Sequence, residues 1–132
     1  MTIVVGYVPK PEGRAALARA VLEAKLRGTD LVVVNSSTGQ SLVDESLASR
    51  EELDEVRRQL EEAGVKHDVR RLVRGKDAAE ELVETAEETD ADFIVIGLRR
   101  RTPVGKLIMG SDAQRVLLDA PCPVLAVKAD EH

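Results

Sequence analysis

Apolar residues along this chain fall into five short runs, separated by longer stretches in which they recur at helical spacing. Thr2 to Val8 reads as a first strand, ended by Pro9 and Pro11. From Gly13, the residues Ala16, Leu17, Ala20, Val21, Ala24 and Leu26 trace one face of a helix that Gly28 stops. Asp30 to Asn35 is a β-branched run of the kind buried on both faces, and the polar loop SSTGQS follows it. A helix is predicted over roughly Val43 to Ala63, with Leu47, Leu53, Val56 and Leu60 as its buried stripe and Gly64 as its stop. Val65 to Val73 alternates, which suits a strand nearer a sheet edge, and Gly75 breaks it. Asp77 is a good N-cap for a helix through Glu88, with Ala78, Leu82, Val83 and Ala86 inward. Ala91 to Ile96 is the most apolar strand and stops at Gly97; a helix over Ser111 to Leu118 and a strand over Pro123 to Lys128 complete the pattern, leaving Ala129 to His132 as a frayed tail. Strands alternating with helices predict an α/β domain, a doubly wound parallel sheet with helices on both faces, occupying residues 1–132 as one unit.

Composition narrows this picture. With 132 residues and 43% hydrophobic content, the chain has enough core to fold unaided, and Tyr7 and Phe93 are its only aromatic residues. A net charge of −5 argues against general affinity for nucleic acid or acidic lipid. The single Cys122 rules out an intramolecular disulfide and fits a reducing compartment. No basic n-region with an apolar h-region opens the sequence, and no apolar run approaches a membrane span, so a soluble cytoplasmic protein is expected. Two separated histidines and one cysteine give no metal-ligand spacing, and the abundant carboxylates form no paired constellation for acid–base catalysis.

Candidate chemistry concentrates between Gly97 and Ser111, GLRRRTPVGKLIMGS. Glycines at both ends of a strand–loop–helix connection allow close backbone approach, and a helix start there offers free N–H groups. Arg99, Arg100, Arg101 and Lys106 lie between them, as expected of a loop that holds an anion such as phosphate. A purely structural reading stands beside this one. Ser111 with Gln114 has capping-box spacing, Thr102-Pro103 resembles a helix start, and the arginines suit a solvated surface.

The segments VVGYVPKPEGRAAL, DLVVVNSS, DADFIVIGLRRR and VGKLIMGSDAQRVLLDAPCPVLAVK resemble the universal stress protein family over the whole chain. The nucleotide-binding branch carries Gly, two residues, Gly, nine residues, Gly, then Ser or Thr. Here Gly97, the stretch Arg101 to Met109, Gly110 and Ser111 match, while Arg100 stands at the second glycine. The resemblance implies a flavodoxin-like sheet in the order 3-2-1-4-5 and a homodimer joined through the last strand, Pro123 to Lys128. It also implies ATP, with Mg²⁺, on a site of Tyr7, Val8, Ser36, Gly97, Arg99, Arg100, Gly110, Ser111 and Asp112. Binders of the family carry an aspartate where this chain has Val8, a polar contact of about 1 kcal/mol. A nucleotide-responsive binding module in the stress response is therefore expected, with at most weak ATP hydrolysis; the alternative is a dimeric interaction protein that binds no nucleotide.

Overall fold

The computed structural model describes residues 1–39, 45–99 and 110–129. In chain order the elements are β1 (Thr2–Gly6), α1 (Pro11–Arg27), β2 (Asp30–Ser37), α2 (Arg50–Glu62), β3 (His67–Val73), α3 (Ala78–Thr89), β4 (Phe93–Leu98), α4 (Ser111–Asp119) and β5 (Val124–Lys128). All strand pairs are parallel and the sheet order is β3-β2-β1-β4-β5, the doubly wound arrangement expected from the sequence. Burial explains why the β-branched runs became the centre. Ile3, Val4, Val5, Leu31, Val33, Ile94 and Val95 are all fully enclosed, with alternate residues feeding opposite faces.

One face packs Ile3, Val5, Leu31 and Val33 against Leu17 and Ala20 of α1 and Leu53, Val56 and Leu60 of α2. The other packs Val4, Val32, Ile94 and Ile96 against Ala79, Leu82 and Ala86 of α3 and Val116 of α4. The outer strands are wetter: β3 alternates between half-buried and exposed positions, and β5 is half-buried along Val124 to Val127.

Several boundaries differ from the sequence reading, each for a local reason. β1 ends at Gly6, so Tyr7 and Val8 leave the sheet, whereas β2 runs on through Ser36 and Ser37. β4 continues past Gly97 to Leu98, whose carbonyl accepts from the Ala129 N–H; Ala129 is thereby buried instead of frayed. α2 starts at Arg50, because Ser49 and Glu52 form a reciprocal capping box that fixes the helix entry. The Val43 start lies outside the described residues, and Leu47 precedes the helix. Leu26 is 72% exposed on α1, and its predicted place on the inner face is taken by Glu23, which Arg19 and Arg27 bracket at 3.2 and 3.3 Å. At α4 the N-cap is Gly110 with no side-chain cap bond, so the Ser111–Gln114 capping box is not formed and Ser111 is the first helical residue.

Two glycines hold the first turn of α1 against the strand ends. A Cβ on Gly13 would stand 1.9 Å from the Val8 carbonyl oxygen, and one on Gly97 would stand 1.9 Å from the Glu12 carbonyl oxygen. Gly97 is therefore required by helix–strand packing before any ligand is considered. Gly110 differs: a Cβ there meets nothing within 4 Å, and φ is −69°. Gly97→Ala is expected to destabilise the fold by about 1–3 kcal/mol through overpacking. Gly110→Ser is expected to stay within about 0.5 kcal/mol of the parent, because serine is a good N-cap. Urea denaturation midpoints of the two variants check the contrast, and equal midpoints would refute it.

Candidate functional site

Chain order carries β1 to β3 outward on one side of β1 and places β4 on the other, so the strand order reverses between β1 and β4. Ligand sites in such sheets lie beyond the carboxyl ends of the strands at this point. A cleft of about 280 Å³ opens there, close to the lower end of small-molecule sites at about 300 Å³. Its floor is Gly6 and Ile96, its β2 wall is Val34, Ser36 and Ser37, and its α3 wall is Asp77, Ala78 and Leu82. Tyr7, Val8 and Glu12 line the α1 side, and Asp112, Ala113 and Val116 the α4 side. A second hollow of about 250 Å³ adjoins it and shares Glu12, Gly97, Asp112 and Ala113; Leu98, Arg99 and Gly110 close it.

The rim is positioned by buried polar groups. Asn35, fully enclosed, donates through Nδ2 to the carbonyls of Tyr7 and Ser46 and accepts through Oδ1 from the Ala48 N–H, each at 2.8 Å. One amide thus ties the exit of β1 to the segment that leads into α2, and Tyr7 and Ser46 both face the cleft. Asp77 caps α3 by accepting from the Glu80 N–H at 2.9 Å, and its second oxygen is ion-paired with Arg115 of α4. The Glu80 N–H first, and then Arg115, hold the Asp77 carboxyl below its ordinary range. Close by, Glu81 is fully buried in the first turn of α3 and is held by Arg74 at 2.6 Å.

The sequence-predicted site residues divide as follows. Tyr7, Val8, Ser36, Gly97 and Asp112 line the main cleft, and Gly97, Arg99, Gly110 and Asp112 line the adjoining hollow. Ser111 opens α4 as an exposed residue between Gly110 and Asp112. Arg100, Arg101, Thr102-Pro103 and Lys106 lie outside the described residues. Sequence reasoning missed Glu12, Asp77 and Asn35. Asp77 was read only as a helix cap; its place directly after β3, at the carboxyl edge, was the signal that put it near the cleft.

Electrostatically, the site is mixed. Glu12 and Asp112 pair with no cation among the described residues, Asp77 is neutralised by Arg115, and Arg99 supplies positive charge at the second hollow. Against the acidic side chains stand the backbone N–H groups of α4's first turn, which no side chain caps. The Gln114 N–H begins the helical ladder on the Gly110 carbonyl at 3.1 Å, and the amides before it have no carbonyl within the helix to bond.

The model of the universal stress protein family matches residues 1–128. The chain belongs to that family. A universal stress protein of Mycolicibacterium smegmatis is 48% identical over 126 residues, covering 96% of each chain. A universal stress protein structure from Archaeoglobus fulgidus superposes with a TM-score of 0.80 at 36% identity, covering 97% of this chain and 98% of the other. A second Archaeoglobus fulgidus structure, a universal stress protein in complex with dAMP, has a TM-score of 0.66 at 32% identity and covers 97% and 98%. The flavodoxin-like order read from the sequence is thus the order of the sheet and of its structural relatives.

In this universal stress protein domain, Asp77 links α3 to α4 at the cleft, and its depressed pKa makes that link acid-sensitive. The stability it contributes is present above the unfolded-state pKa and is lost as pH falls through the lower folded value, below about pH 4. Asp77→Asn keeps a capping side chain but removes this titration. The denaturation midpoint of the variant is expected to fall less than the parent's between about pH 5 and pH 3. Parallel acid limbs would exclude Asp77 as a contributor.

Proposed function

We infer that this domain is an adenine-nucleotide-binding regulatory module of the stress response, taking ATP with Mg²⁺ and acting in the cytoplasm. The observation that carries the reading is the pair of adjoining hollows at the strand reversal, which meet at the uncapped first turn of α4. The larger, walled by Ile96, Leu82 and the β2 serines, suits a base and ribose. The smaller, between Arg99 and the α4 amides, suits phosphate oxygens. The dAMP complex of the 32% identical relative supports the nucleotide class. Mg²⁺ fits the same picture as a passenger. Among the described residues no group of three ligating side chains stands together, so the cation would arrive on the phosphates and offset Glu12 and Asp112. No histidine lines either hollow, so the module is proposed as a binder with at most weak ATP hydrolysis.

Calorimetry of ATP–Mg²⁺ against AMP is the direct test. Saturable micromolar ATP binding, about −8 kcal/mol, is expected. Gly110→Val, whose side chain would meet no atom within 4 Å, is expected to weaken it at least tenfold, with a stability loss of about 1 kcal/mol or less from the poorer N-cap. Binding unaffected by that substitution would place the phosphates elsewhere. Absence of any nucleotide binding would select the second reading, an interaction protein without nucleotide, which Val8 favours, as do Glu12 and Asp112, which pair with no cation among the described residues.

The assembly we propose is a homodimer through the last strand. Among the described residues β5 pairs only with β4, so its outer edge presents backbone groups that no described strand pairs, and Val124 to Val127 are half-buried. Leu117 and Leu118 of α4, 41% and 83% exposed, precede it. Val127→Lys is expected to convert dimer to monomer in sedimentation equilibrium, and a dimer that persists would exclude this edge.

A further inference from the structure

Of the four described helices, α4 buries the least, and its first turn is the one that borders the proposed phosphate hollow. α1, α2 and α3 each bury three or more residues. Of the nine residues of α4 only Val116 is buried, and Ala113 and Ala120 add half-buried methyl groups to the same cluster. The helix rests mainly on α3 instead of on the strands. One ion pair, Arg115 with Asp77, fastens the two helices together, and both partners are partly exposed, so the fastening is weak. A segment with so little buried apolar surface opens at a lower free energy than the core.

The two ends of α4 have different surroundings. Its first turn borders both hollows at the strand reversal through Asp112 and Ala113. No side chain caps that turn, and its amides have no carbonyl within the helix to bond. The last turn carries Leu117 and Leu118, 41% and 83% exposed, and leads through Ala120 into β5. A phosphate that bonds the first-turn amides binds only the folded and docked helix. The difference in affinity needed to shift an opening equilibrium is therefore present.

We propose that α4 is the responding element of the nucleotide site. In the free domain it opens and redocks on α3 as a unit, and nucleotide phosphate at its first turn holds it docked. Occupancy of the cleft is thereby reported at Leu117, Leu118 and the entry to β5. This role rests on the nucleotide-binding reading given above and adds to it the part of the surface that changes. Asp77 serves it twice, as a wall of the cleft at the start of α3 and as the anchor for Arg115. α1 and α2 pack on the other face of the sheet and take no part.

Amide hydrogen exchange of the full chain, read by NMR with and without ATP–Mg²⁺, tests this role, with ATP binding followed by calorimetry in the same buffer. In the free domain the amides of residues 117–120 are expected to exchange at least tenfold faster than those within α3. ATP at about 100 times its Kd is expected to slow them about a hundredfold, because opening then requires loss of the ligand. The amides of α2 are expected to keep their rates. Arg115→Gln is expected to speed exchange at residues 117–120 at least threefold while the β1 amides stay unchanged. Exchange in α4 as slow as in α3 without ligand would overturn the light docking. ATP that binds in the calorimeter yet protects only residues 111–115 would show local contact and overturn the response. Rates in Arg115→Gln equal to the parent's would overturn the ion pair as its fastening. No ATP binding would end the role together with the nucleotide reading, whereas the other adverse results leave that reading standing.

Discussion

The structure depends on how closely the first turn of α1 approaches the ends of two strands. Val8 accepts from the Lys10 N–H at 2.8 Å in the turn that leaves β1, and Gly13 then passes its carbonyl with no room for a side chain. One residue earlier, Glu12 lies backbone-on against Gly97 of β4. Because both approaches are between backbones, neither yields to a rotamer change. The helix is thus fixed relative to β1 and β4 together, and the point where the strand order reverses becomes a rigid corner. The cleft takes its floor from this corner.

Much of this was legible in the sequence, for a physical reason. Strands buried on both faces must be continuous apolar runs, and Asp30 to Asn35 and Ala91 to Ile96 are such runs, so the number and type of elements followed from alternation, while the strand order came from the family resemblance. What failed was local competition. The apolar spacing of α2 extends back to Leu47, but the Ser49–Glu52 capping box satisfies two orphan N–H groups at once and outbids that extension. Leu26 fits the α1 stripe by count, yet it is 72% exposed, and Ala24 is the residue of that turn that faces the core.

The site was legible where it is made of backbone and illegible where it is made of tertiary pairs. Glycines and a helix start at Gly97, Gly110 and Ser111 carry their meaning in one stretch of chain. Asn35 does not: its three hydrogen bonds reach residues 28, 11 and 13 positions away, and nothing in DLVVVNSS distinguishes a rim anchor from another buried polar residue. Asp77 is intermediate. Its capping role is local and was read; its pairing with Arg115, 38 residues on, exists only because α3 and α4 lie side by side.

Tyr7 brings these threads to one residue. Leaving β1 one position after the sheet ends, it turns its carbonyl to Asn35 at the cleft and its ring beneath α1 and α2. A smaller side chain would satisfy the carbonyl equally well, since that bond is backbone. The ring itself contributes apolar burial that valine or leucine would also supply. Its hydroxyl reaches water at the edge of the space between α1 and α2, so the ring fills the core without enclosing an unpartnered polar atom.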